Sequence, residues 1–253
     1  MNLDEVTPLV LTWNEAPNLR RCLERLRWAS RVVVVDSGSD DGTLGICEEF
    51  PNVETVTRPF DNHTDQWNHG LSQVATRWVL ALDADYILDT DFADELLSLE
   101  PEDKVAWFAD FRYLVHGRAL RGSLYPPRAV LFDRSACRYV ADGHTQRLEF
   151  AGPSGRLAAK IDHDDRKPLG RWLDSQSKYA RLEADKLATE SGPGTLPDRL
   201  RRMVWPAAPA VFLFTLLAKR AILDGWPGWF YALQRTYAEL LLSLILLERR
   251  FRT

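Results

Sequence analysis

Four consecutive valines, Val32 to Val35, constrain this chain more than any other feature. A β-branched run with no polar alternation is a strand buried on both faces, which belongs inside a sheet covered by helices on each side. The strand, read from Arg31 to Val35, ends in Asp36-Ser37-Gly38-Ser39-Asp40-Asp41-Gly42, a run of turn formers and helix caps. Its surroundings keep a βαβα rhythm. Val6 to Thr12 reads as the first strand, and Pro17 to Trp28 as a helix with Leu19, Cys22, Leu23 and Leu26 on one face. A helix from about Thr43 to Phe50, a strand from Val53 to Thr57, a helix from His69 to Thr76 and a strand from Arg77 to Leu82 follow. Lys104 to Val115 and Ala129 to Phe132 look like further strands, with Tyr125-Pro126-Pro127-Arg128 as a rigid connector. The expected class is α/β, a Rossmann-like and mostly parallel sheet followed by C-terminal amphipathic helices.

A length of 253 residues, 45% of them hydrophobic and 27% charged, suits one such domain with appended helices. Cys22, Cys47 and Cys137 are too widely spaced for a zinc site or a disulfide framework, and read as buried thiols in a reducing compartment. The first residues carry Asp4 and Glu5 where a secretory leader carries basic groups, so a cytoplasmic location is expected. Residues 199–253 hold nine Arg or Lys against three acids, a net of +6, which leaves −10 on the first 198 residues. An acidic body disfavours nucleic acid, whereas a basic apolar tail suits an anionic membrane. The sign changes at the Ser191 to Pro197 linker, which divides a catalytic domain at 1–190 from a helical region at 198–253.

Ligands of open α/β sheets bind beyond the carboxyl ends of the strands. Asp83-Ala84-Asp85 stands at one such end, and paired carboxylates there suit Mg²⁺ or Mn²⁺ on a diphosphate, although an isolated D-x-D also occurs as a solvated turn. Asp36 stands at another, beside Thr12-Trp13-Asn14-Glu15, where a carboxylate can accept hydrogen bonds from a base or a ribose. No G-x-G-x-x-G turn is present to cradle a dinucleotide, so a metal must neutralise the phosphates.

Taken in series, Leu11-Thr12-Trp13-Asn14-Glu15, Val35 to Thr43 and Ala81-Leu82-Asp83-Ala84-Asp85 resemble the donor half of the inverting family-two glycosyltransferases with the A-type fold. Tyr125 to Arg128 and Ala221-Ile222-Leu223-Asp224-Gly225 are similar to the branch that includes lipopolysaccharide-core glucosyltransferases. The resemblance implies a nucleotide-sugar donor, UDP favoured, held by Thr12, Trp13, Glu15, Asp36, Asp83 and Ala84. Within that set, Trp13 and Glu15 contact base and ribose, Asp36 the base, and Asp83 the ribose. Gln66 and Asn68 would lie over the nucleotide or, equally, cap the following helix. Asp83 and Asp85 would serve the metal, with His163 as a further ligand from the C-terminal side. The general base is open: the branch carries His-Glu where this chain has His144-Thr145, which leaves Asp142 first, then Glu149, then His144.

The tail has an apolar run from Trp205 to Ala218, broken by Pro206 and Pro209, and another from Leu240 to Leu247. Each is shorter than the roughly 20 residues of a spanning helix. Flanking arginines, Lys219, and Trp205, Trp226, Trp229 and Tyr231 favour an interfacial hairpin at the inner membrane face, serving a lipid-linked or glycan acceptor. Packing on the protein's own core or on a second subunit is the alternative. Two other functions compete: a nucleotidyltransferase, and a catalytically silent module that binds nucleotide sugars at a membrane.

Overall fold

The computed structural model describes residues 1–142, 145–189, 192 and 194–252. Strands β1 (Val6–Thr12), β2 (Val32–Asp36), β3 (Val53–Thr57) and β4 (Trp78–Asp83) are parallel, in the order β3-β2-β1-β4. Helices α1 (Leu19–Glu24), α2 (Thr43–Glu48) and α3 (His63–Gln73) make the crossovers. The valine strand is buried throughout, and its alternate residues feed two cores. Val32 and Val34 join Val10, Leu23, Leu26 and Trp78 on one face, while Val33 and Val35 join Leu9, Trp67, Leu71 and Phe132 on the other. Helix α3 begins six residues before the expected His69, because Asn62 Oδ1 accepts the Asp65 N–H at 2.9 Å and caps it there.

Beyond β4 the sheet changes character. Strands β5 (Tyr86–Leu88), β6 (Ala106–Val115), β7 (Arg118–Ala119), β8 (Arg128–Asp133) and β11 (Ser154–His163) complete a nine-stranded sheet among the described residues. Strand β8 runs antiparallel to β4 and β6, β7 to β6, and β5 to β11. The expected parallel pattern thus covers residues 1–83 and gives way to a mixed sheet. One reason is visible at β6–β7, where only His116 and Gly117, both with positive φ, connect the strands. Two residues in that conformation make a tight hairpin, whereas a parallel partner needs a crossover of a dozen or more. Strands β9 (Cys137–Asp142) and β10 (Thr145–Phe150) pair separately. Helix α4 (Phe92–Ser98) buries Phe92 and Leu96 in the first core.

The chain forms two compact units, the first comprising 1–112, 125–141 and 146–166, the second 113–124, 142–145 and 167–253. In the second, α5 (Leu169–Thr189) packs Ala180, Ala184 and Leu187 against Leu242, Ile245 and Leu246 of α8 (Trp226–Arg252). Helix α6 (Leu196–Met203) starts inside the expected linker, since Thr195 and Asp198 form a capping box and Pro197 fits a first turn. Helix α7 (Ala207–Leu213) also packs along α8. Arg201 joins Glu183 at 3.1 Å and Glu239 at 2.6 Å, and Ser243 Oγ donates to the Val204 carbonyl at 3.1 Å, so one side of α8 is fixed by polar contacts as well as apolar ones. Its other side is different. Every exposed residue from Trp226 to Leu244, namely Trp226, Trp229, Leu233, Tyr237, Leu240 and Leu244, is large and apolar or aromatic. Their spacing of three and four draws a straight stripe along the helix.

Candidate functional site

The site lies in the first unit, where β1 sits between β2 and β4 and the direction of winding reverses. Register places Asp36 beside Thr12 and Asp83 beside Leu11, so the three acidic and polar strand ends line up at one edge.

Asp36 is fully buried and its carboxylate is taken up by the protein itself. Oδ2 accepts the N–H groups of Gly38 at 2.9 Å and Ser39 at 2.8 Å, and Oδ1 accepts Ser39 Oγ at 2.5 Å and Thr12 Oγ1 at 3.1 Å. Asp36 and Thr12 thereby shape the loop. The same loop is fastened to the end of β1 by motif side chains. The Asn14 N–H donates to Ser39 Oγ at 2.7 Å, the Asp40 N–H to Asn14 Oδ1 at 2.8 Å, the Glu15 N–H to Thr43 Oγ1 at 2.8 Å and the Ala16 N–H to Asp41 Oδ2 at 3.2 Å. Trp13, in contrast, is 56% exposed at the tip. Glu15 accepts Asn18 Nδ2 at 2.9 Å.

Gln66 and Asn68 both lie within α3 rather than at its cap. Buried Gln66 donates to Ser37 Oγ at 3.0 Å and accepts Arg58 Nη1 at 2.5 Å. Asn68 forms a reciprocal pair with the Tyr139 backbone, donating to the carbonyl and accepting the N–H, both at 3.0 Å, and so ties α3 to β9.

Asp85 and His163, 78 positions apart in the chain, come together: His163 Nε2 is 3.3 Å from Asp85 Oδ2, and the Asp164 N–H donates to the Asp85 carbonyl at 3.1 Å. The pairing follows from β5 and β11, whose register sets His163 opposite Tyr86. Buried Asp164 secures the segment by accepting Arg21 Nη1 at 2.7 Å and Arg166 Nε at 2.9 Å, while Asn18 reaches Asp165 Oδ1 at 3.0 Å. Ala84 is buried between the two acids. The side chain of Asp83, the last residue of β4, makes no hydrogen bond or ion pair among the described residues.

Aromatic groups that the sequence did not single out as site residues wall this pair. Tyr86 and Tyr125 are hydrogen-bonded through their hydroxyls, Tyr125 packs edge-on to His163 with centroids 4.5 Å apart, and Phe111 lies 5.0 Å from Tyr125. Burial, then the charge of Asp83, pushes the Tyr86 hydroxyl well above its usual range; burial also raises Tyr125. Both hydroxyls stay protonated, and either can donate in the hydrogen bond between them. Arg128 spreads over the Tyr125 ring at 5.1 Å. Burial works against its charge, but Tyr86, Tyr125 and Asp83 outweigh that and raise its pKa. The Tyr125 to Arg128 segment, read from sequence as a connector, supplies a wall of the site.

Of the base candidates, Asp142 pairs with Lys186 at 2.7 Å within the second unit. Glu149 is held by Arg138 at 2.7 Å, and that hydrogen bond and charge lower its pKa, which makes it a poorer base. His144 lies outside the described residues.

Residues 9–117 match the model of glycosyl transferase family 2. The chain is 28% identical over 205 residues, 74% of its length and 73% of the other's, to the lipopolysaccharide core biosynthesis glycosyltransferase LpsC of Rhizobium meliloti. In fold it is similar to a Pyrobaculum calidifontis mannosyltransferase solved with GDP-Man and Mn²⁺ (TM-score 0.54, 18% identity, 96% of this chain and 85% of that one). It is similar too to residues 1–349 of Staphylococcus aureus TarS solved with UDP-GlcNAc (TM-score 0.51, 14% identity, 93% and 81%). The fold is therefore the A-type nucleotide-sugar fold, residues 9–117 are a family 2 glycosyltransferase domain, and the chain is a glycosyltransferase.

Proposed function

We propose that the chain moves a hexose from a nucleoside diphosphate sugar, UDP favoured, to a hydroxyl of a lipid-linked or cell-envelope glycan, with inversion at the anomeric carbon. The meeting of Asp85 and His163 at the strand ends carries this reading. The 3.3 Å between His163 Nε2 and Asp85 Oδ2 brings an imidazole nitrogen and a carboxylate oxygen together, a donor pair that would hold Mn²⁺ or Mg²⁺. No group of three or more ligating side chains exists among the described residues, an arrangement that suits a metal completed by diphosphate oxygens.

When bound, the ion supplies positive charge to the departing diphosphate. Asp85 and His163 would hold it, with Asp83 beside them. The loop organised by Asp36 shapes the nucleoside pocket, and exposed Trp13 is placed to stack on the base. Tyr86 and Tyr125 exclude water from one side of the metal pair. A carboxylate takes the acceptor proton as the hydroxyl oxygen bonds to the anomeric carbon and the bond to the diphosphate breaks. We assign that base to Asp142; Asp142→Asn is expected to lower kcat while donor affinity holds.

The acceptor class rests on the likeness to LpsC and on the second unit's surface. Lys219 lies over exposed Phe214 at 5.8 Å and Arg118 over exposed Trp226 at 5.5 Å, cations rimming an apolar face as at lipid headgroups. By length and composition α8 could span a bilayer. Its contacts with Arg201 and α5 favour lying on the cytoplasmic face instead, and the cationic rim disfavours a second copy of the same surface.

Calorimetric titration with UDP, GDP and dTDP, with and without Mn²⁺, tests the donor site. Metal-dependent binding of one nucleotide, lost in Asp85→Ala, is the expected result; no binding by folded wild-type protein refutes the reading. Sugar transfer by wild type separates it from a silent binding module.

A further inference from the structure

Arg128 and Asp83 are opposite charges that influence one another yet form no ion pair among the described residues. Arg128 opens β8, whose register with β4 runs Trp78 to Asp133, Val79 to Phe132 and Leu80 to Leu131. Asp83 is the final residue of β4, and its charge reaches Arg128 at the start of β8. Asp83 acts electrostatically on Arg128, yet among the described residues neither side chain makes a hydrogen bond or an ion pair. Withdrawing a guanidinium and a carboxylate from water is costly unless each finds a partner.

The position of the guanidinium explains what keeps it apart. It is stacked on the Tyr125 ring at 5.1 Å, and that ring packs edge-on to His163, whose Nε2 touches Asp85. Arg128 therefore stands one aromatic ring away from the metal pair. Stacking engages the face of a guanidinium and leaves its in-plane N–H groups available, a fork that matches two oxygens of a phosphate. A diphosphate brought to this edge also meets Asp83 and Asp85, and one divalent ion leaves part of that negative charge uncompensated. A fixed cation beside the ion supplies the remainder.

We propose that Arg128 receives the diphosphate of the donor through its in-plane N–H fork, with Tyr125 holding it in that orientation. The proposal rests on the donor reading above and adds a residue outside the segment that matches the family model. Arg128 stabilises the leaving nucleoside diphosphate, and Tyr125 is a positioning residue that acts through it.

The test uses whichever of UDP, GDP and dTDP wild type binds most tightly with Mn²⁺, titrated into Arg128→Gln and into Arg128→Met, which keeps apolar contact with Tyr125. Losing a charge-assisted hydrogen bond to phosphate is expected to weaken binding about 10- to 100-fold. Affinity for Mn²⁺ alone and the melting temperature should stay near wild type. Phenylglyoxal labelling of wild type, read by peptide mass, gives a measurement independent of variant folding: the diphosphate with Mn²⁺ should protect Arg128, and the parent nucleoside should not. Folded variants within twofold of wild type, or Arg128 labelled equally with and without diphosphate, overturn the proposal alone. A wild type that binds none of the three nucleotides overturns the donor reading, and this proposal with it.

Discussion

Asn68→Ala separates two roles for one residue, since the family resemblance places Asn68 over the nucleotide whereas the structure occupies both ends of its amide with the backbone of buried Tyr139. Removing the amide deletes two hydrogen bonds of 3.0 Å and strands a main-chain N–H and carbonyl. At about 1 to 2 kcal/mol for each group left unsatisfied, the cost is roughly 2 to 4 kcal/mol. Alanine returns about 0.6 kcal/mol through its better helix propensity within α3. A net loss of about 1.4 to 3.4 kcal/mol should lower the melting temperature by roughly 3 to 14 °C for a chain of this size. Asn68→Asp keeps an acceptor for the Tyr139 N–H but turns an anionic oxygen on the carbonyl, so it should cost at least as much. Thermal melts by circular dichroism give the first quantity, and calorimetry with nucleotide and Mn²⁺ gives the second, expected within twofold of wild type. A variant that melts with wild type yet loses tenfold in nucleotide affinity would refute the scaffold role.

Gly228→Ala should destabilise by about 3 kcal/mol in thermal or urea unfolding, because a methyl group there would lie 1.8 Å from the Ala221 carbonyl oxygen, a backbone atom that cannot swing aside. Burial pushes the Cys137 thiol up to about 12 and raises Cys22 and Cys47 as well, so native protein at pH 8 should leave all three unlabelled by iodoacetamide and denatured protein should label three. The same upward shift means the native state keeps protons that the unfolded chain releases; the stability this contributes is complete below pH 8.5 and declines from there towards pH 12, which alkaline melts would check. Flotation with vesicles of phosphatidylglycerol and phosphatidylethanolamine should recover the protein, less so with neutral lipid or at 1 M salt, and replacing exposed Trp205 and Trp229 by serine should reduce recovery about tenfold.

The first 83 residues were legible in outline because their signals are local. An all-apolar strand, its flanking amphipathic helices and an acidic strand end appear in order along the chain. What sequence could not supply was any feature created by distant pairing. Strands β5 and β11 carry no strong pattern, yet they decide that His163 meets Asp85 and that Tyr86 walls the pair. The cap at Asn62 is a local signal that was overlooked, and it moves Gln66 and Asn68 from a helix entrance to a helix interior. For Asp36 and Asn68, residue type and motif position say that a polar group matters, while only geometry shows which main-chain groups it engages.

The lacing of residues 14–16 to the Ser39 to Thr43 loop has a practical meaning for redesign. Asp36, Ser39, Asp41 and Thr43 turn inward onto backbone groups, so the motif specifies the contour of a rim and leaves its outward chemistry largely to Trp13. Exchanging the preferred nucleobase should therefore begin with that indole, which can be varied while every stitch beneath it stays in place.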